Sequence, residues 1–292
     1  MRVTEQMRYE SVTNNLSQLN ARQATAAQQA QTGLRVNLPS DDPIAAAELA
    51  RLSASQGQIS ARRSAVTAVR GDAELAESSL QQASDLMATA KELAMQGANG
   101  SLGASERTGL AQQVKDLHDQ LVGLANTKGS NGYLFGGSAT DTQPFSPTGA
   151  FAGNDDAHLV DIGNSTPSAV NASGAKAFTV AGGRNVFADL DALYSALSTN
   201  DITGVTTSLD GLDRSRSQIT NAQASVGLTI NKLDTSDSVL QAAELQNATR
   251  IGEVGATDPA KAYSTLVQLN NSLQQSVSVA KSILDLAAFK QF

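Results

Sequence analysis

Apolar residues recur with helical spacing at the start of the chain. Between residues 9 and 30 they alternate in steps of three and four, which places them on one stripe of a helix. The stripe consists of Tyr9, Val12, Leu16, Leu19, Gln23, Ala26 and Ala30. Because such a stripe is stabilised only against another helix, it predicts a first helix that requires a helical partner.

The longest periodic stretch predicts a second helix over residues 43–99. Its stripe stays in phase for six heptads over residues 52–94. Pro43 suits the first turn of this helix, and Ser40 or Asp42 can cap its free amide groups. Roughly 55 helical residues span about 80 Å, whereas a compact globule of this chain length has a radius of gyration of about 19 Å. The pattern therefore predicts a rod, with Gly57 and Gly71 as the positions where a kink would fall.

Helical spacing returns three more times along the chain. One helix is predicted over residues 105–129 and another over residues 205–240, with an extension through Ile251. Asp258 and Pro259 cap and start the last helix. Long helices are thus expected at both ends of the sequence.

The last helix carries two apolar faces. One stripe consists of Tyr263, Leu266, Asn270, Leu273, Val277, Ala280, Leu284 and Ala287, and a neighbouring face of Leu269, Val279, Ile283 and Leu286. We expect the first stripe to meet the N-terminal stripe, with Asn270 setting the register, and the second face to remain for neighbouring subunits. On heptads alone, an ordinary coiled-coil pair in a soluble dimer is an equal alternative.

The middle of the chain has a different character. Residues 131–184 are dense in Gly, Ser, Thr, Asn and Pro, and the short runs 158–162 and 177–180 are predicted to be strands between turns. These features predict a small β-rich insert. Since helical segments bracket the insert, both chain ends return to one helical bundle.

The expected fold is mainly α: an elongated rod of long antiparallel, coiled-coil-like helices from both termini, with a small β-rich central insert at the outer tip. We expect three domains. They are a terminal-helix domain of residues 1–38 and 256–292, a helical rod domain of residues 39–130 and 205–255, and the insert of residues 131–204.

Composition and charge exclude several classes of partner. The 292 residues are 40% apolar and 4% aromatic without Trp, so a large aromatic core is not expected. A net charge of −7 and the absence of a basic run argue against nucleic acid and anionic membranes as partners.

The polar N-terminal helix has no apolar core of a cleavable signal peptide, and no stretch approaches 18 apolar residues.

The sequence contains few residues in patterns typical of catalytic or metal sites. It has no Cys and two His, neither of which lies in a nucleophile pattern, and no phosphate-binding or zinc-protease motif occurs. We expect His118 to be a surface helix residue, and Arg62 to extend its charged end toward water rather than to bind a ligand. Asp41 and Asp42 lack the spacing of a calcium loop, so a cap is the better interpretation. We expect no catalytic, cofactor-binding or metal-binding residues and no enzyme.

Four parts of the sequence resemble the flagellin superfamily. Residues 32–43 read TGLRVNLPSDDP, and the turn and helix cap are Pro39, Ser40, Asp41, Asp42 and Pro43. This form is similar to hook–filament junction members more than to flagellin itself. Further similarities lie at residues 91–100, at residues 124–127 with 133–137 and 144–145, and at residues 226–233. The resemblance covers about residues 1–150 and 205–292 in the family's order.

The resemblance implies that the terminal helices form an inner polymerising domain. The implied assembly interface comprises Tyr9, Val12, Leu16, Leu19, Tyr263, Leu266, Asn270, Leu273, Val277, Leu284 and Leu286. The implied partners are other copies of the chain, hook-associated protein 1, flagellin and an export chaperone on the C-terminal helix. The family reaches the cell exterior through the flagellar type III export channel, without a cleavable signal peptide.

The expected function is therefore that of a structural adaptor between the hook-associated region and the flagellin filament. A flagellin-like filament subunit is the first alternative, and a soluble coiled-coil scaffold is the second.

Overall fold

The computed structural model describes residues 2–163, 167–179 and 183–289, with the side chains of residues 2–5, 8 and 283–289 left out. Helices dominate the described residues. They are α1 (Arg2–Thr32), α2 (Pro43–Gly97), α3 (Ala104–Ala125), α4 (Gly174–Phe178), α5 (Val186–Ser198), α6 (Ile202–Gly255) and α7 (Pro259–Phe289). Two two-stranded antiparallel sheets pair β1 (Lys128–Gly129) with β2 (Gly132–Tyr133), and β3 (Leu159–Val160) with β4 (Ser168–Ala169). The prediction of a mainly α fold with a small β component is confirmed.

Local signals explain where the long helices begin. Asp42 Oδ1 accepts the amide of Ala45 at 3.0 Å, and Asp258 Oδ1 accepts the amide of Ala260 at 2.8 Å. Both caps precede a proline at the first helical position, as the sequence predicted. Helix α2 continues through Gly57 and Gly71, where an added Cβ would meet nothing within 4 Å. A glycine at such an open position costs about 1 kcal/mol, which is too little to end a helix that packs on both sides of it.

The chain forms two compact units. The first contains residues 1–58 and 243–292, and the second contains residues 59–242. In the first unit, α1 packs against α7, and Asn247 on α6 donates to the Leu52 carbonyl oxygen of α2 at 2.8 Å. The three-domain division stays a prediction.

The core of the second unit lies between α2, α3, α5 and α6. Small buried side chains on α2 let the helices approach closely, and larger ones on α6 fill the seam. They are Ala73, Ala76, Ala83, Ala90 and Ala94 on α2, and Leu212, Ile219 and Leu233 on α6. Ion pairs join the two helices in antiparallel order: Arg63 with Asp237 at 2.9 Å, Arg70 with Asp234 at 2.8 Å and Lys91 with Asp213 at 2.7 Å.

The middle of the chain contains more helix than the sequence predicted. Strand β3 lies inside the predicted run 158–162, but residues 174–178 form α4, so the strand predicted over 177–180 is wrong; Val180 lies outside the described residues. Helix α5 was missed altogether. Each helix has a side-chain cap, since Ser173 accepts the amide of Lys176 and Asn185 accepts the amides of Phe187 and Ala188.

A compact aromatic cluster holds this middle region together. Five of the seven phenylalanines pack with ring centroids 5.0–5.9 Å apart. They are Phe135, Phe145, Phe151, Phe178 and Phe187. Gly149 has a φ of +71°, and a Cβ there would collide with Phe187. Most of the phenylalanines are thus concentrated in one small core.

One sequence expectation about a polar residue is wrong. His118 is buried rather than exposed, with its ring edge-on to Phe187 at 5.7 Å, because the unpredicted α5 covers that face of α3. The side chain of Arg62 is about half exposed, and its guanidinium pairs with Asp161 at the surface at 3.0 Å.

Candidate assembly surface

Helices α1 and α7 form an antiparallel pair. An isolated bridge joins Leu34, just after α1, to Ala256, just before α7. Farther along, Gln23 Nε2 donates to Asn270 Oδ1 at 2.5 Å. The contact gives Asn270 the polar partner that a register-setting residue requires.

The seam of this pair is only partly shielded from water. On α1, Val12, Leu16, Leu19 and Gln23 are half-buried and Ala26 is buried; on α7, Leu266, Leu269, Asn270 and Leu273 are half-buried, with Ala262 and Ala280 buried. A seam built from two helices leaves the flanks of most large side chains in solvent. The pair therefore retains apolar area for a further partner.

Helix α7 uses most of the expected stripe, since Leu266, Asn270, Leu273 and Ala280 are half-buried or buried in the seam. Tyr263 is 66% exposed and Val277 is 51% exposed, while Leu269, assigned to the neighbouring face, joins the seam. Tyr9 on α1 is also exposed. The edge of the stripe is therefore shifted around α7, and the small buried side chain of Ala262 allows close approach to α1 there.

Apolar side chains remain exposed on the pair. Tyr263, Val267 and Val277 lie at helical spacing on one flank of α7, and Val279 and, on α1, Tyr9 are exposed elsewhere. The predicted interface residues Leu284 and Leu286 lie on α7, but their side chains are outside the described set. The structure thus divides the described part of the predicted interface into seam residues and exposed residues.

Residues 33–43 connect α1 to α2, and we call them the joint. Arg35 holds the joint in place, because its Nη1 donates to Asp42 Oδ2 at 2.9 Å and its Nη2 donates to the Val254 carbonyl oxygen at 3.0 Å. Asp41 Oδ2 accepts the amides of Asn37 at 3.0 Å and Leu38 at 2.8 Å. Of the two predicted caps, Asp42 is the residue that accepts an amide of α2.

Backbone hydrogen bonds tie the joint to the link between α6 and α7. The Arg35 amide donates to Gly255 O at 2.7 Å, and the Thr257 amide donates to Gly33 O at 2.9 Å. Gly33 has a φ of +69°, which favours glycine at the end of α1. Sequence reasoning missed the role of Arg35, although an arginine seven residues before a capping carboxylate was visible in the motif.

The charge of Asp42 is stabilised by its neighbours. Its pKa lies below the ordinary value because the Ala45 amide and the Arg35 guanidinium both donate to the carboxylate. A depressed carboxyl pKa contributes stability above the ordinary carboxyl range, and the contribution is lost as pH falls through the folded-state pKa.

We expect Asp42→Asn to lower the melting temperature at pH 7 and to have a progressively smaller effect as the pH falls below the ordinary carboxyl range. Asn keeps a capping oxygen but removes the charge, so only the pH-dependent part of the contact is lost. Heating the full chain while following helical circular dichroism at pH 7 and at a pH below that range tests this. Asp141→Asn, at an exposed position of the insert, is the control; an equal loss from Asp42→Asn at both pH values would contradict the assignment.

No group of three or more His, Cys, Asp or Glu side chains among the described residues could hold a metal ion. A groove with a volume of about 1010 Å³ is lined by α4, β4 and α6, and its Lys176 and Arg214 already pair with Asp155 at 3.3 Å and Asp210 at 3.0 Å. No helix in the described ranges is long and apolar enough to cross a membrane.

Comparison with known proteins connects this architecture to the flagellum. The model of the bacterial flagellin N-terminal helical region matches residues 3–140. Flagellar hook-associated protein 3 of Escherichia coli (strain K12) is 29% identical over 314 aligned residues, which cover 99% of each chain.

Two solved structures share the fold. A protein from Vibrio parahaemolyticus described as a flagellar hook-associated protein has a TM-score of 0.68 at 24% identity, covering 74% of this chain and 100% of its own. The flagellar junction protein FlgL from Legionella pneumophila has a TM-score of 0.58 at 16% identity, covering 71% and 99%. The matched helical region and the end-to-end similarity to hook-associated protein 3 show that the chain is a structural component of the flagellum whose N-terminal helical region is similar to that of bacterial flagellin.

Proposed function

We propose that the chain is the adaptor between the hook-associated region and the flagellin filament, and that it assembles through α1 and α7. The observation that carries the proposal is the incomplete burial of this helix pair. Leu16, Leu19 and Leu273 are half-buried within one chain, and Tyr263 and Val277 are exposed beside them. Apolar helix faces of this kind are stabilised when neighbouring helices cover them.

The comparisons favour the adaptor role among flagellar roles. The similarity to hook-associated protein 3 extends over 99% of both chains, and the Legionella neighbour is called a junction protein. The turn at residues 39–43 has the junction-type form. A filament subunit is the second candidate, favoured by the match of residues 3–140 to the flagellin N-terminal region.

The proposed partners follow from this position in the flagellum. Other copies of the chain lie beside it, hook-associated protein 1 lies on the hook side and flagellin on the filament side. The chain travels unfolded through the flagellar export channel to the cell exterior, with a chaperone on α7 before export. A chaperone would cover Tyr263, Val267 and Val277, which are exposed in the single chain.

Immunogold electron microscopy of intact cells tests the adaptor role. With antibody against residues 131–184, we expect one band of label between hook and filament, because an adaptor occupies only that level. Label along the whole filament would overturn the proposal in favour of a filament subunit. Label absent from flagella would favour the coiled-coil scaffold.

A further inference from the structure

The chain contains two Asn–Gly pairs, and both lie in turns outside the long helices. Asn99–Gly100 lies between α2 and α3, and Asn131–Gly132 lies at the tip of the β1–β2 hairpin. Because glycine has no side chain to shield its amide nitrogen, that nitrogen can attack the side-chain amide carbon of an asparagine before it. The surroundings of each asparagine therefore decide whether the reaction takes place.

The Asn131 side chain is free at the hairpin tip. Gly129 pairs with Gly132, so Ser130 and Asn131 form the loop. Asn131 is exposed, and in the part of the chain that the structure describes no group hydrogen-bonds to its side chain. Gly132 has a φ of +112°, and a Cβ there would collide with the Thr140 carbonyl oxygen. The geometry of the turn thus requires the unshielded glycine that follows Asn131.

The hairpin is short enough to open locally. Strands β1 and β2 contain two residues each, and a two-stranded hairpin of this size is marginally stable. Its tip is held to α2 through Ser130, whose amide donates to Asp72 Oδ1 and whose hydroxyl donates to Asp72 Oδ2, both at 2.7 Å. These contacts end one residue before Asn131. Local opening of the strands therefore gives the Asn131 backbone the rotation that attack by the Gly132 nitrogen requires.

Asn99 has the same glycine neighbour but is held in place. Its Oδ1 accepts the amide of Ser101 at 3.1 Å and the hydroxyl of Ser101 at 2.9 Å. Its backbone carbonyl oxygen accepts the Leu102 amide at 3.1 Å and the buried Arg107 guanidinium at 2.7 Å. Rotation of Asn99 toward the Gly100 nitrogen would break these hydrogen bonds, so this pair is the internal reference.

We propose that Asn131 is a site of spontaneous deamidation in the folded chain. The Gly132 amide nitrogen forms a bond to Asn131 Cγ, the Cγ–Nδ2 bond breaks, and ammonia leaves with the proton from the Gly132 amide. Water then adds to either carbonyl of the resulting succinimide ring. Opening of the ring gives aspartate or isoaspartate at position 131, with no oxidant, cofactor or enzyme involved.

The modification changes the contact between the hairpin and α2. Both products place a carboxylate one residue from Ser130, close to the Asp72 carboxylate that holds the tip. Like charges at this distance repel each other, and isoaspartate also lengthens the backbone of the loop by one carbon atom. Deamidation is therefore expected to release the hairpin from α2. The proposal concerns the second unit and does not depend on the adaptor role.

Incubation of the purified full chain at mildly alkaline pH, followed by tryptic peptide mapping, measures both pairs in one sample. Asn99 lies in the peptide of residues 92–107 and Asn131 in that of residues 129–176, and fragmentation in the mass spectrometer assigns the position. In the folded chain we expect Asn131 to convert at least about tenfold faster than Asn99, because only Asn131 lacks hydrogen bonds to its side chain. In concentrated urea the two rates should converge, since both pairs then present the same unstructured Asn–Gly sequence.

Equal rates in the folded chain, or faster conversion of Asn99, would overturn the proposal. A difference that persists unchanged in urea would also overturn it, because the flanking sequence rather than the fold would then be the cause.

Asn131→Gln is the variant that tests the release of the hairpin. Glutamine keeps the amide but forms the larger cyclic imide slowly, so position 131 should stay unmodified during the same incubation. Hydrogen exchange over residues 128–134 should become faster in the incubated wild-type chain than in the incubated variant. Equal exchange in the two chains, at full conversion of Asn131, would contradict the release of the hairpin.

Discussion

Replacing Leu273 by Asp is expected to abolish assembly while leaving the second unit, residues 59–242, folded. Leu273 lies in the seam of α7 with α1, and a carboxylate there would lose water without gaining a partner. The penalty is about 3 kcal/mol, or roughly a hundredfold in an equilibrium constant. Because the seam is only half-buried in one chain, the terminal helices depend on neighbours, and folding of the pair is expected to be coupled to assembly.

Incorporation into flagella and hydrogen exchange of the purified chain measure the two parts of this prediction. Gln274→Asp is the matched control, since it adds the same charge one residue away at an exposed position of α7. We expect the control to assemble normally. Assembly of the Leu273→Asp chain at wild-type levels would contradict the seam as the assembly element. Equal exchange protection of α1 and α7 in the monomer and in the assembly would contradict the coupling to folding.

Arg107→Leu is expected to destabilise the second unit by about 3 kcal/mol. Arg107 is 2% exposed, and its guanidinium donates to the carbonyl oxygens of Gly97 at 2.8 Å and Asn99 at 2.7 Å, and to the side chain of Asn200. The first two acceptors lie at the end of α2, and Asn200, with a φ of +56°, precedes α6. Leucine fills much of the volume but leaves these acceptors without their donor.

Urea unfolding of the full chain, followed by circular dichroism, measures the loss as a lower midpoint. Arg214→Leu is the control, because Arg214 pairs with Asp210 on the exposed surface of α6 with both side chains about two-thirds in solvent. An exposed pair of this kind contributes about 0.5 kcal/mol or less. Equal midpoints for the two variants would show that the buried hydrogen bonds of Arg107 are not stabilising.

A signal for Arg107 was present in the sequence. Residue 107 stands three positions before Leu110, in phase with Val114, Leu117 and Leu121 on the buried stripe of α3. A basic residue at a position of the buried apolar stripe has either a long side chain that reaches water or a buried charge with its own hydrogen-bond acceptors. Only the positions of the two turns, at the end of α2 and before α6, distinguish these cases.

Helix α5 also had a recoverable signal. Val186, Leu190, Leu193 and Leu197 follow helical spacing, and Asn185 stands before them as a cap. The surrounding Gly- and Ser-rich composition favoured strands instead. His118 was misplaced as a consequence, because its burial depends on α5.

The sequence by itself determined the long helices, their starts at Pro43 and Pro259, and the resemblance of the joint to the flagellin superfamily, because periodicity, caps and turn residues act within a few positions of each other. The tertiary structure decided that Leu269 rather than Tyr263 lies in the seam of α7, how Arg35 fastens the joint, and how five phenylalanines gather around α4 and α5. Those outcomes depend on the shape of a partner distant in sequence. Where apolar residues flank a stripe on both sides, local patterns favour both, and only packing against the partner helix decides which of them is covered.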